Sequence, residues 1–227
     1  MAGAPRVPSR SVVLAGATGL IGDLVLKDLL LDPGVAKVQV LARRPLATSH
    51  PKLQVHVVDF RKLPALEPVD EAYLALGTTI KIAGSQEAFR AVDLDANLAV
   101  ANAALAAGAK RMALVSAVGA DAKSAVFYNR VKGELEDALK ALQLDALVIA
   151  QPSLLLGDRK ALKQPPRFGE GFAAPLMTLI SPLLPRRYRP VRGEAVAKAL
   201  VRTLPAAKGL VVLSSDELIR LGADRRP

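Results

Sequence analysis

The run Gly16-Ala17-Thr18-Gly19-Leu20-Ile21-Gly22 follows directly on the apolar segment Ser11–Ala15 and opens a leucine-rich stretch that stops at Asp32-Pro33-Gly34. This order, a β-rich run, a glycine turn and then a helix, leaves few folds open. The segment SVVLA is short, rich in β-branched residues and preceded by a proline-containing tail, which predicts a buried parallel strand. Leu20, Leu24, Leu26, Leu29, Leu30 and Leu31 predict the helix, and Pro33-Gly34 ends it. Glycine at the junction has a physical reason. A Cβ would block both the tight turn and the close approach of backbone to a pyrophosphate, and the helix N-terminus supplies N–H groups with a partial positive charge. An ordinary glycine turn is the alternative, but the flanking strand and helix favour a phosphate loop with Gly16, Thr18, Gly19, Leu20, Ile21 and Gly22 as its contacts.

Further buried strands are expected at Lys37–Leu41, Gln54–Asp59, Glu71–Leu76, Arg111–Val115, Ala146–Ala150 and Gly209–Leu213. Between them lie an alanine-rich helix at Asp93–Ala107 and a second helix from about Tyr128 to Leu142 with an exposed charged face. Strands alternating with helices imply a parallel sheet covered on both faces. The expected fold class is therefore α/β, a Rossmann-type doubly wound parallel sheet with a small C-terminal substrate lobe. At 227 residues the chain suits one core. Residues 1–10 read as a disordered tail and 11–227 as a single NAD(P)-binding domain. The irregular lobe falls at about 157–205, with the proline-rich patch Gln164-Pro165-Pro166 as its only candidate boundary.

The absence of cysteine excludes disulfides, a thiol nucleophile and cysteine-ligated metal sites. The two histidines, His50 and His56, are too few and too isolated for a metal site, and His56 is expected on the exposed face of its strand. Met1–Arg10 holds no apolar run, so no secretory signal is expected and the expected location is cytoplasmic. The apolar stretch Gly171–Leu184 is shorter than the roughly 20 residues of a membrane span and is interrupted by Pro175 and Pro182. It reads as a lid or as a homodimer contact. The net charge of +10 suits an anionic partner. No recognition-helix or base-stacking pattern accompanies it, so dedicated nucleic-acid binding is not expected.

In doubly wound sheets ligands sit at the carboxyl ends of the strands, and the residues there decide the chemistry. After strand two, where NAD-specific folds place an acid against the ribose 2′-hydroxyl, stand Ala42, Arg43 and Arg44. Guanidinium groups pair with a 2′-phosphate and stack on adenine, so the cofactor expected is NADP(H). Asp59, followed by Phe60, is placed to accept from the adenine amino group or to cap a turn. Leu76, Gly77 and Thr78 either line the path a dinucleotide's ribose and nicotinamide would take or serve only the turn that follows the strand.

Strand five ends at Ser116, and Tyr128 and Lys132 follow on one face of the next helix. The ammonium can favour the phenolate, bringing a proton donor whose ordinary pKa is near 10 closer to working pH. The Ser116 hydroxyl could hold a substrate carbonyl while the tyrosine gives or takes the proton. A plain helix-surface pair is the alternative.

The glycine loop, the Ser116 strand end, Tyr128 with Lys132, and Gln151-Pro152-Ser153 together resemble the atypical and extended short-chain dehydrogenase/reductase superfamily. Ala75–Thr79, Asp93–Asn97, Val115–Ala120 and Leu156-Gly157-Asp158-Arg159 are similar to the branch that contains Tat-interacting-protein-like oxidoreductases. The resemblance runs from Ser11 through nearly all of the chain. It implies NADP(H) bound through Gly16, Gly19 and Gly22, and a catalytic set of Ser116, Tyr128 and Lys132. It also implies that Lys132 bonds the nicotinamide ribose and that Pro152 and Ser153 line the nicotinamide pocket. The helix that carries a supporting asparagine in many members offers Asp93, Asn97 and Asn102 here without a clear match, a departure from the family pattern. The short lobe after Gly157 favours a substrate smaller than a nucleotide sugar.

Two functions fit these expectations. One is an NADPH-dependent reductase of a small carbonyl-type substrate. The other is an NADPH-binding regulatory module that controls a protein partner without turnover. Basic residues late in the chain, Arg159, Lys160, Lys163, Arg167, Arg186, Arg187, Arg189 and Arg192, suit either an anionic substrate or a solvated surface around the substrate mouth.

Overall fold

The computed structural model describes residues 9–156 and 185–223. The proline-rich patch, the apolar stretch Gly171–Leu184, the basic residues from Arg159 to Arg167 and residues 1–8 of the expected tail lie outside the described residues. Chain order runs β1 (Arg10–Ala15), α1 (Leu20–Leu31), β2 (Val35–Ala42), β3 (Leu53–Val57) and β4 (Glu71–Leu74). Short helices α2 (Ile80–Ala83) and α3 (Gln86–Arg90) lead through a π-turn (Ala91–Ala96) into α4 (Asn97–Ala106). Then follow β5 (Arg111–Val115), α5 (Phe127–Lys140), β6 (Ala146–Gln151), β7 (Leu155–Leu156) and β8 (Val191–Arg192). The last described elements are α6 (Gly193–Thr203), β9 (Gly209–Ser214) and α7 (Ser215–Gly222).

Seven strands form one sheet in the order β3-β2-β1-β4-β5-β6-β9, and every neighbouring pair is parallel. Because β1 is followed outward by β2 on one side and by β4 on the other, the loops leaving β1 and β4 diverge and open a crevice between them. This is the doubly wound arrangement expected. β7 and β8 make a separate two-stranded parallel ribbon.

Period-two alternation divides the strand residues between two cores. Val12, Leu14, Val38, Val40, Tyr73, Ala113 and Val148 face α1, α6 and α7, where Leu26, Leu29, Val196, Leu200 and Leu218 cover them. Val13, Leu41, Ala72, Leu74, Met112, Leu114 and Ile149 face α4 and α5, meeting Val100, Ala104, Val131, Leu135 and Leu139. Covering on both faces is why the central strands read as unbroken apolar runs.

Several expectations need correction. The helix expected at Asp93–Ala107 begins earlier, and its first expected residues sit in the π-turn. The charged face of α5 is not uniformly exposed: Lys132 and Glu136 are buried. His56 is half-buried rather than exposed, with its Nε2 enclosed. Helices α6 and α7 had no place in the sequence reading. The signal for α7 was a capping box, in which the Ser214 side chain serves the first turn and Glu217 reaches back to the Ser214 amide.

At the amino-terminal edge of the sheet, away from the crevice, Arg10 bridges Asp32 (2.6 Å) and Glu71 (3.0 Å), and the Tyr73 hydroxyl donates to Glu71 (3.0 Å). Burial pushes the Glu71 carboxyl up from its ordinary value, and Arg10 draws it partly back. These charges hold the lower rim together.

Candidate functional site

The glycine loop is dictated by close backbone approaches. Gly16 has φ +97°, which an L side chain rarely adopts, and a Cβ there would overlap the Ala75 carbonyl at the end of β4. A Cβ on Gly22 would overlap the Gly16 carbonyl. The Gly19 amide donates to Gly16 O (2.8 Å), closing the turn, and Gly19 then caps α1 without a side chain. The first-turn amides of α1 therefore open onto the loop, with Thr18 exposed and Leu20 and Ile21 buried beneath it. A tight backbone turn that a Cβ at Gly16 or Gly22 would break, at a helix N-terminus, fits a pyrophosphate.

Arg43 and Arg44 follow β2 at the same rim and are exposed. Asp59, beyond β3, is held by Arg61. The guanidinium donates to both carboxylate oxygens at 2.7–3.1 Å, and the Arg61 amide adds a bond of 3.0 Å. Those hydrogen bonds lower the Asp59 pKa to about 2. Phe60 packs partly buried against the α4/α5 core.

At the end of β4 the chain runs through Leu76, Gly77 and Thr78. The Thr78 amide donates to Asp93 Oδ2 (2.8 Å), and Lys132 Nζ lies 2.7 Å from Asp93 Oδ1. Gly77 packs on this pair, since a Cβ there would stand 3.4 Å from Asp93 Oδ1 and 3.9 Å from Lys132 Nζ. Both charged side chains are at least 95% enclosed, at 5% and 1% exposure. The π-turn delivers Asp93 to this point. Asn97 braces it by donating from Nδ2 to Leu76 O (3.1 Å), Asp93 O (3.1 Å) and Val92 O (3.3 Å). Extra residues in a helical turn of this kind free carbonyls and recur at functional sites. The sequence offered Asp93 and Asn97 as candidates; only the π-turn separates their roles. Asn102 is exposed.

Tyr128 stands in the first turn of α5, half-buried, with its ring 5.6 Å from that of Phe89. Gly133 lets the preceding loop lie on the helix, because a Cβ there would overlap the backbone of Asp121 and Ala122. The sequence reading missed this glycine. One helix face carries Tyr128, Lys132, Glu136 and Lys140 at four-residue intervals.

Ser116 is buried just past β5, and its hydroxyl donates to Glu136 Oε1 at 2.5 Å. Gln151 Nε2 donates to both oxygens of the same carboxylate, at 3.0 and 3.1 Å. Pro152 is buried, and its carbonyl accepts from the Val118 amide (3.0 Å). The Ser153 hydroxyl donates to Arg189 O (2.6 Å), and its amide donates to Ser215 Oγ (2.9 Å). The strand ends thus place the glycine loop, Arg43, Asp59, Leu76–Thr78, Ser116 and Pro152 along the sheet's carboxyl-terminal rim, and Lys132 reaches the Gly77 turn from α5. No helix among the described residues is long and apolar enough to cross a membrane.

The sheet order, the glycine cradle and the rim residues define an NAD(P)-binding Rossmann protein of the short-chain dehydrogenase/reductase type. The chain belongs to the NAD(P)H-binding family, whose family model matches residues 16–166, and within it to the HTATIP2-like branch of the extended short-chain dehydrogenases/reductases. It is 32% identical to "Protein HTATIP2" of Rattus norvegicus over 208 residues, covering 83% of this chain and 86% of that protein. It is 34% identical over 219 residues to "Protein fmp52, mitochondrial" of Emericella nidulans, covering 92% and 93%. Among solved structures, a short-chain dehydrogenase/reductase family oxidoreductase from Burkholderia thailandensis superposes with a TM-score of 0.66 at 20% identity, covering 93% of each chain. MoeE5 in complex with UDP-glucose and NAD gives a TM-score of 0.66 at 16% identity, covering 94% of this chain and 81% of that one. At those identities the two structures share the fold.

Proposed function

We propose that this protein is an NADPH-dependent reductase of a small carbonyl-type compound. The observation that carries this reading is the pairing of Tyr128 and Lys132 on one face of α5. Lys132 is anchored on Asp93 beneath Gly77 and Thr78, at the same rim as the glycine cradle. Gly16, Gly19 and Gly22 with the first turn of α1 would hold the pyrophosphate, Arg43 and Arg44 the 2′-phosphate, Asp59 with Phe60 the adenine side, and Leu76, Gly77 and Thr78 the ribose. Pro152 and Ser153 would border the nicotinamide.

When bound, NADPH supplies the hydride. The chain's part is positional and protonic. Tyr128 would give its phenolic proton to the substrate oxygen as the alcohol forms, with Lys132 one turn along on the same helix face. Asp93 keeps the Lys132 ammonium in place in a buried setting where an unpaired charge would be costly. Ser116, expected in this set from its place at the end of β5, donates its hydroxyl to Glu136. The exposed Arg187 and Arg192 beside this rim suit an anionic substrate.

The deciding experiment is a screen of NADPH oxidation against aldehydes, ketones and quinones, with Tyr128→Phe as the control. Reduction that collapses in Tyr128→Phe supports the reading. Tight NADPH binding with no reduction across the screen replaces it with the regulatory one, in which NADPH occupancy controls a protein partner. For location, the mitochondrial label on the Fmp52 relatives stands against the cytoplasmic expectation. Cell fractionation with an antibody to this chain separates the two.

A further inference from the structure

Ser116 has a single hydroxyl hydrogen, and it goes to Glu136. At 2.5 Å the bond lies in the short range expected of a hydroxyl on a carboxylate. A hydrogen spent there is not available to a substrate oxygen. Glu136 is 3% exposed, and a buried carboxylate needs several donors to offset its desolvation. It has Ser116 from the end of β5 and Gln151 from the end of β6, with Lys140 Nζ at 3.7 Å from its own helix. The Ser116 amide also donates to Ala150 O (2.8 Å), so the serine backbone is fixed to β6 as well. Glu136 lies one turn beyond Lys132 and two beyond Tyr128 on the same face. Sliding α5 by a single residue, about 1.5 Å, would break these bonds and carry Lys132 off Asp93.

We infer that Ser116 is a positioning residue that acts through Glu136, and that Ser116, Glu136 and Gln151 together lock α5 in the register that sets Lys132 on Asp93. The inference rests on the site reading proposed above for Tyr128 and Lys132. It departs from the substrate-holding role expected of Ser116. Glu136 and Gln151 thereby become members of the site without touching the substrate.

The test is calorimetric titration of NADPH into the wild type, Ser116→Ala, Glu136→Gln, the double variant and Ser116→Thr. Each single change should weaken binding roughly tenfold, the scale of coupling inside one hydrogen-bonded network, through the loosened Lys132. The double variant should be no weaker than the worse single one, and Ser116→Thr, which keeps the hydroxyl, should restore affinity. Gln151→Leu leaves Ser116 intact and should repeat the loss, so the inference stays testable if Ser116→Ala does not fold. Leu139→Ala, a core change on the same helix, should lower the melting temperature without moving NADPH affinity. Unchanged affinity in Ser116→Ala with reduced turnover overturns the inference in favour of direct substrate contact. Additive losses in the double variant, or unchanged affinity in both Glu136→Gln and Gln151→Leu, also overturn it. A wild type that reduces nothing in the carbonyl screen defeats the reductase reading, while the binding cycle still decides this one.

Discussion

Lys132 Nζ sits 2.7 Å from Asp93 Oδ1, and the two buried side chains join α5 to the π-turn under the Gly77-Thr78 loop. Removing one partner of a buried pair strands the other charge, at a cost of about 3–5 kcal/mol. Asp93→Leu should lose stability on that scale in urea denaturation. Asp93→Leu combined with Lys132→Met should regain most of it, because no charge is left uncompensated. A double variant as unstable as the sum of the two singles would show that the pair contributes nothing as a unit.

Tyr128 and Lys132 should fail differently. Tyr128→Phe removes one hydroxyl from a half-buried ring that packs on Phe89, so folding and NADPH affinity should persist. Any reduction rate should fall by about 10²–10⁴, the contribution of a positioned general acid. Lys132→Met also removes the donor proposed for the ribose, so affinity should weaken along with rate. Single-turnover kinetics and calorimetry on the two variants separate these patterns.

Cofactor choice should follow the exposed pair after β2. Charge-assisted bonds from Arg43 and Arg44 to a 2′-phosphate should favour NADPH over NADH by about 1–3 kcal/mol. The preference should disappear in Arg43→Ala/Arg44→Ala and fade with rising salt, as exposed charges are screened. Equal affinities in the wild type would remove the argument.

The Asp59 carboxyl should titrate at about 2, below its ordinary 3.8, because Arg61 donates to it from both side chain and backbone. A depressed folded-state value means the contact favours the fold above pH 3.8, and its contribution is lost as pH falls toward 2. Arg61→Ala should return the carboxyl toward 3.8, read by carbon NMR of the side-chain carboxylate. An unchanged titration would mean that the pair is not held in solution.

What the sequence determined by itself was whatever is written in local order. SVVLA followed by Gly16–Gly22 and a leucine helix can satisfy its backbone and bury its apolar side chains in very few ways. The parallel sheet and the phosphate loop were therefore legible from local order, whereas the switch between β1 and β4 came from the strand order of the fold. The shared face of Tyr128 and Lys132 was legible too, because a four-residue interval on a helix is a local property. The tertiary structure decided every pairing between distant segments. Nothing in the spacing said that Asp93, carried on a π-turn, would reach Lys132, since one extra residue in a helical turn rotates all that follows by about 100°. Ser116 reads as a substrate ligand at the end of its strand, and only the fold brings Glu136 within reach of its hydroxyl. Asp59 could be read as an adenine acceptor or a turn cap, and only the fold shows Arg61 donating to it from both side chain and backbone. A side chain's chemistry can be read from its residue type, but the direction of its hydrogen bond is set by the partner that packing brings within about 3 Å, and that partner lies elsewhere in the chain.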